Sequence, residues 1–258
     1  MFAIYKKEMR SYFTTPIGYV YIGIFLALSA LVCSFTTLQS NTYDTSLYFY
    51  YMIFAFVILI PLLTMRSFAE ERKQRTEQLL LTAPVTITGM VLGKYFAALT
   101  MFVSTVLASC INFIPLYVIA AEERAAVAQT ANPVIGPTTA YIVGSLIGII
   151  LLGAAFIAIG IFISSLTESQ LSAAVVSIGV IALMISLGLV NQIGTDEEGN
   201  RLISSYAVRF VIDWISMLSR FSNLGYGMLD FSALVYYVSL SAVFIFLTVR
   251  IYEKRRWG

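Results

Sequence analysis

The feature that most constrains this chain is where its charges are missing. Residues 11–43, 45–65, 95–121, 125–167, 169–195 and 231–249 contain no Asp, Glu, Lys or Arg. Each run is about as long as the roughly 20 apolar residues that a helix needs to cross a bilayer, or longer. Composition agrees, with 59% of residues hydrophobic and 12% charged; a soluble domain carries about twice that charged share. In lipid the backbone must satisfy its own hydrogen bonds, and these runs lack the alternation of a barrel strand, so each reads as a helix. The expectation is an all-α polytopic membrane protein, one transmembrane domain over 1–258, with spans near 17–38, 46–65, 92–118, 138–163, 171–191 and 231–250.

Those spans sort the loops onto two sides. One side holds Lys6, Lys7, Arg10, Arg66, Arg72, Lys73, Arg75, Lys94, Arg250, Lys254, Arg255 and Arg256; the other holds Arg124, Arg201, Arg209 and Arg220. The excess marks the first side, with both termini and the 66–88 block, as cytoplasmic. Cys33 and Cys110 fall within spans and suggest no disulfide framework.

Around the spans, residues 2–14 place Phe2, Tyr5, Met9, Tyr12 and Phe13 on one helical face and Lys6, Lys7 and Arg10 on the other. That pattern predicts a helix lying in the inner interface. Tyr43, Tyr48, Tyr50 and Tyr51 suggest an aromatic belt at the opposite interface. Pro61 and Pro115 are expected to kink their spans. The fourth span carries Gly144, Gly148, Gly153 and Gly160, spaced for close helix packing. Thr167 and Gln170 suggest a capping box for the fifth span. Ile203, Tyr206, Phe210, Trp214 and Leu218 keep helical spacing, with Arg209 and Asp213 on the other face. They predict amphipathic outer helices over 203–229, interfacial or re-entrant.

Much chemistry is excluded. The chain has no histidine, which removes the commonest general base and metal ligand. GMVLGKY at 89–95 lacks the spacing of a phosphate-binding loop, so Lys94 is expected to snorkel to the inner interface. No charge falls in the middle of a span, where ion-coupled carriers need one. Asn112, the most polar residue within a span, either lines a path or bonds a neighbouring helix. No catalytic, cofactor-binding or metal-binding constellation emerges.

Against this background RSFAEERKQRTEQLLLTAP, residues 66–84, concentrates charge of both signs. As a helix over 69–82 it pairs Glu71 with Arg75 and Lys73 with Glu77. A loop that only fixed topology would need basic residues alone; mixed charges and a leucine run predict a structured helix that touches something.

The run ERKQRTEQLLLTAPVTITGMVLGKY, residues 71–95, resembles the inner loop of ABC-2-type transporter permeases. Glu71, Thr76, Glu77, Leu79, Leu80, Pro84, Gly93 and Lys94 stand at the family's positions. Arg75 departs from the glycine many members carry there, a change expected to stiffen the helix. The turn SSLTESQLSAA and the closing stretch from 227 to 257 resemble the family as well, and the small permeases of the gliding-motility and copper-maturation type are the most similar. The resemblance implies a permease subunit, an exporter, that itself hydrolyses nothing. Its implied partners are a separate ABC ATPase subunit carrying ATP and Mg, a second permease copy or homologous permease, and the lipids of a bacterial plasma membrane, with no nucleic acid. It assigns Glu70, Glu71, Arg72, Arg75, Thr76, Glu77 and Leu80 to a cytoplasmic coupling helix that contacts the ATPase. Tyr5, Lys6, Lys7, Met9 and Arg10 fall to the interfacial helix, and Arg209, Asp213, Trp214 and Phe221 to an outer gate. The alternative is a mechanotransmission or scaffold subunit of an ATPase-driven complex that moves no substrate.

Overall fold

The computed structural model describes residues 1–38, 45–78, 85–127, 137–193, 216–225, 227–228 and 230–257. Among these residues every regular element is helical. Six helical stretches are long and apolar enough to span a membrane: Pro16–Thr37, Ser46–Lys73, Ile87–Glu122, Thr139–Leu166, Gln170–Leu189 and Phe231–Arg256. They match the six charge-free runs, except that the third and sixth extend into flanking charged residues and the second continues through the first part of the charged block.

The first helix, α1 (Phe2–Thr14), ends at Thr15, and α2 (Pro16–Cys33) starts at once. Thr15 is extended, at φ −99° and ψ 148°, because a residue before proline is pushed out of the helical region. Pro16 then opens α2, where its missing N–H costs nothing. The corner is tight: a Cβ on Gly18 would run into the carbonyl of Tyr12. A π turn, Ser34–Leu38, closes α2.

Next come α3 (Ser46–Thr64) and α4 (Arg66–Lys73), separated only by Met65. The helix carries Pro61 inside it and breaks four residues later. After α5 (Ile87–Ser109), a 3-10 turn at Cys110–Phe113 leads into α6 (Ile114–Val127). This is the interruption expected of Pro115, which has no N–H for an i−4 bond. The chain closes with α7 (Thr139–Leu166), α8 (Gln170–Ile193), α9 (Met217–Gly225) and α10 (Phe231–Trp257). Ser169, rather than Thr167, caps α8: its Oγ accepts from the Ser172 N–H at 3.1 Å. Thr167 instead donates back to the Ile163 carbonyl at the end of α7.

The central helix is α7, whose apolar window is 67% buried, against 28% for those of α2, α8 and α10. Its small residues explain why. A Cβ on Gly160 would strike Thr64 of α3, one on Gly153 would strike Phe102 of α5, and one on Gly148 would crowd Phe221 of α9. Without a hydrophobic drive between helices in lipid, such close approach and its dispersion contacts hold the bundle together. Phe25, Phe56 and Phe102 interlock beside α7, with ring centroids 5.2–6.4 Å apart.

At the end of the bundle away from α4, Tyr48 does not serve a belt. It is buried, and its hydroxyl shares a 2.8 Å hydrogen bond with Ser29 and donates to Ser109. Tyr50 is half-buried and Tyr51 exposed, while Tyr43 lies outside the described residues. At the same end α9 packs beside α7 and α8 rather than beyond their tips. Phe221 reaches Gly148, about 13 Å along α7 from Thr139 at 1.5 Å per residue. Tyr237, about two turns inside α10, donates to the Met217 carbonyl at 2.6 Å.

Candidate functional site

The site is the corner where α1, α4 and the first turns of α5 meet the ends of α7 and α10. Backbone hydrogen-bonding needs place α4 there. A helix start leaves amide donors unsatisfied, and at α4 the hydroxyl of Ser164 in α7 takes two of them. Its Oγ accepts from Phe68 N at 3.1 Å and Ala69 N at 3.2 Å, and donates to the Met65 carbonyl. One serine therefore satisfies the break between α3 and α4. The carbonyls at the end of α7 are served in turn by arginines. Arg72 of α4 donates to Leu166 and Thr167, and Arg255 of α10 donates to Ser165 at 2.8 Å. Cations at a helix C-terminus also suit its dipole. Phe68 meets the Tyr252 ring at 4.6 Å between centroids and completes the apolar side of the joint.

The polar centre is Lys94. Its side chain is 2% exposed, so the expected snorkelling to the interface does not occur. Its Nζ lies 3.0 Å from Glu8 of α1 and 2.9 Å from Glu71 of α4, and donates to the Ser67 carbonyl at 2.6 Å. The Phe68 ring covers it at 5.0 Å. Lys7 adds a second cation 3.3 Å from Glu71. A buried ammonium is tolerable only when paired and fully hydrogen-bonded, and two carboxylates and a carbonyl supply that. Beside it, Arg66 grips Glu70 through Nε at 2.6 Å and Nη2 at 3.1 Å, a bidentate geometry that fixes orientation. These groups border a cleft of about 360 Å³ that also takes in Ser11, Gln74 and Thr76. Burial pushes the phenol of neighbouring Tyr12 up, with Glu8 adding to the effect, so it stays neutral and donates to the Leu63 carbonyl.

The charged block is not the single helix expected over 69–82. The helix stops at Lys73, and Arg75 is left-handed at φ 57°. The Thr76 N–H bonds back to Glu71 O at 2.9 Å and the Arg75 N–H to Arg72 O at 3.0 Å, the pattern of a Schellman C-cap. The residue at that position ordinarily is glycine, which reaches positive φ without cost. Arg75 thus takes the left-handed conformation at the position where the family resemblance places a glycine, and it ends the helix instead of stiffening it. The expected pairs dissolve with the helix. Glu71 pairs with Lys94 and Lys7 rather than Arg75, and Glu77 pairs with Arg72 and Arg255 rather than Lys73.

Of the other residues singled out from the sequence, Tyr5 donates to Thr100 at 3.2 Å, and Met9 packs on the core. Lys6 and Arg10 are exposed. Thr76 donates to the Glu71 carbonyl. Phe221 is buried against α7. Asn112 donates to Ser29 Oγ at 2.7 Å, a bond between helices. Leu80, Arg209, Asp213 and Trp214, with the expected helix over 203–215, lie outside the described residues. Ser164, Tyr252 and Arg255 are members of the corner that sequence reasoning missed. Arg255 sits in a C-terminal basic cluster that looks like topology alone, and a serine in an apolar span carries no signal of its partner. Among the described residues no group of metal-ligating side chains gathers.

Five spans around one central helix, with most of the described charge gathered at one knitted end, define a multi-pass α-helical membrane protein. The family model described as "ABC-2 family transporter protein" matches residues 27–257, and the chain belongs to that family. It is the transmembrane permease component of an ABC transporter. No curated protein matches it.

Proposed function

We propose that this permease exports its substrate and is driven by a separate ATPase subunit docked at the α1–α4 corner. The observation that carries the reading is the corner's connectivity. Through Lys7, Lys94, Ser164 and Arg72, α4 is bonded to α1, α5 and α7, and the Arg72–Glu77–Arg255 pairs link it to α10. A push on α4 therefore reaches four other helices through bonds rather than through soft contacts. The corner is assigned to the cytoplasmic face by its excess of Lys and Arg, and the membrane to a bacterial plasma membrane by the family resemblance. ATP and Mg belong to the partner in this reading, and the chain needs no cofactor of its own. A second permease, identical or homologous, completes the path. The α1 helix is assigned to the interface, where its exposed Lys6 and Arg10 meet headgroups. Substrates are hydrophobic or amphiphilic, since no span carries a charge at its middle.

The test is reconstitution of the permease with the ATPase that co-purifies with it. The expected result is ATP hydrolysis that depends on the permease, and its loss in Glu71→Gln with the complex still assembled. Hydrolysis unaffected by Glu71→Gln, or a permease that assembles with no ATPase, contradicts the reading.

A further inference from the structure

The charged end has a property that the order of its residues hides. In sequence the 66–77 block alternates cations and acids. In the fold the two signs are sorted. Glu8, Glu70, Glu71, Glu77 and Glu253 are all engaged in ion pairs. The first four of these have side chains only 14–26% exposed. The cations divide differently. Lys6, Arg10, Lys73, Arg75, Lys254 and Arg256 are exposed and have no ion-pair partner among the described residues. Glu168, in the turn between α7 and α8, is the exposed acid left at this end. The block that reads as mixed presents a basic outer surface.

Four of those cations stand at two neighbouring helix ends, which form one tip. Lys73 and Arg75 end α4, while Lys254 and Arg256 end α10. The two ends are tied by the 3.0 Å Arg255–Glu77 pair and the Phe68–Tyr252 contact. The tip stands clear of the hydrocarbon. Phe231–Arg256 is about 39 Å long at 1.5 Å per residue, against a hydrocarbon core of roughly 30 Å. It is also pre-organised, because the Schellman turn sets the path through Arg75 and the ion pairs behind it hold the base. A rigid basic tip beyond the lipid core suits a protein surface better than fluid headgroups. We infer that the tip formed by Lys73, Arg75, Lys254 and Arg256 is a docking face for an acidic surface of the partner ATPase. This rests on the proposed function and adds the sign of the contact: the permease supplies the cations and the ATPase the carboxylates.

The test measures ATPase affinity for the permease in nanodiscs of phosphatidylcholine alone, at 50 and 500 mM NaCl. Wild type is expected to bind at least tenfold more weakly at high salt, because exposed charges are screened within a Debye length. Lys73→Glu with Arg75→Glu is expected to cost at least tenfold at low salt and to flatten the salt dependence. An unchanged thermal unfolding temperature shows that the fold is kept. Lys254→Glu with Arg256→Glu, away from the turn, is expected to weaken binding in the same direction. Binding by wild type that is insensitive to salt and to both double variants overturns the inference and leaves the proposed function standing. So does a finding that the double variants alter only stabilisation by added phosphatidylglycerol, which assigns the cations to lipid. If wild type binds no ATPase at all, both readings fall together.

Discussion

The two ends of the bundle are held by different forces. At the α4 end, carboxylates, ammonium and guanidinium groups interlock with the open carbonyls of α7. At the α9 end, hydroxyls and glycines do the work. There Ser29, Tyr48, Ser109 and Asn112 bond one another, while Gly144 and Gly148 admit α9. The difference follows from where each lies along the spans. The first end extends past the apolar runs, where charges remain solvated until paired. The second lies largely within them, where a lone charge would be costly; neutral hydrogen bonds and close backbone contact predominate there, with Arg220 of α9, which donates to Ser232 and lies over the Tyr236 ring, a charged exception. An ion-paired corner also fails differently: losing one partner strands another charge, whereas losing one hydroxyl leaves a smaller deficit.

Substitutions that break this contrast rank accordingly. Lys94→Met leaves Glu8 and Glu71 facing each other with only the exposed Lys7 as a cation. It should cost about 3–5 kcal/mol, read as thermal unfolding in detergent. Adding Glu8→Gln and Glu71→Gln should return most of that loss; a single variant as stable as wild type would show that the cluster is not cooperative. At the other end, a valine at Gly144 would bring its Cβ to within 2.7 Å of the Gly227 Cα and the Leu224 carbonyl. Overpacking of this kind costs about 1–3 kcal/mol, and α9 should yield first. Hydrogen exchange over 217–225 should rise while α4 stays protected, and equal loosening of both ends would contradict their independence.

Smaller effects sharpen the comparison. Ser29→Ala removes the acceptor of Asn112 and a partner of Tyr48, and should cost about 1 kcal/mol. A loss as large as that of Lys94→Met would mean that the hydroxyl cluster behaves like the ionic one. Arg75→Gly should leave unfolding unchanged or raise stability by up to about 1 kcal/mol, since it relieves a left-handed arginine. Arg75→Val should lower it. The opposite order would deny the C-cap geometry of that turn.

The spans, their number and the close packing of the glycine-rich fourth run were legible in the sequence, because each depends only on local apolarity and residue size; its central place was not. The charged block was legible as a feature but not in its pairing. Helical spacing offered Arg75 to Glu71, yet the helix ends at that arginine's left-handed turn, and Lys94 from another helix takes the acid. Tyr48 was misplaced for a related reason. A tyrosine near the end of a span suits an interface, and only the approach of Ser29 and Ser109 makes it part of the core.

The sequence alone determined that this chain crosses a membrane six times and which end carries the charge. Bilayer thickness and the cost of unpaired backbone groups leave runs of this length and polarity no other fold. The tertiary structure alone decided which charges are spent inside and which remain outside. Ion pairing depends on distances of a few ångströms between helices far apart in the chain, and no spacing along one helix encodes those distances. By drawing the acids inward to Lys94, Arg66, Arg72 and Arg255, the fold turns a block of mixed sign into a basic surface.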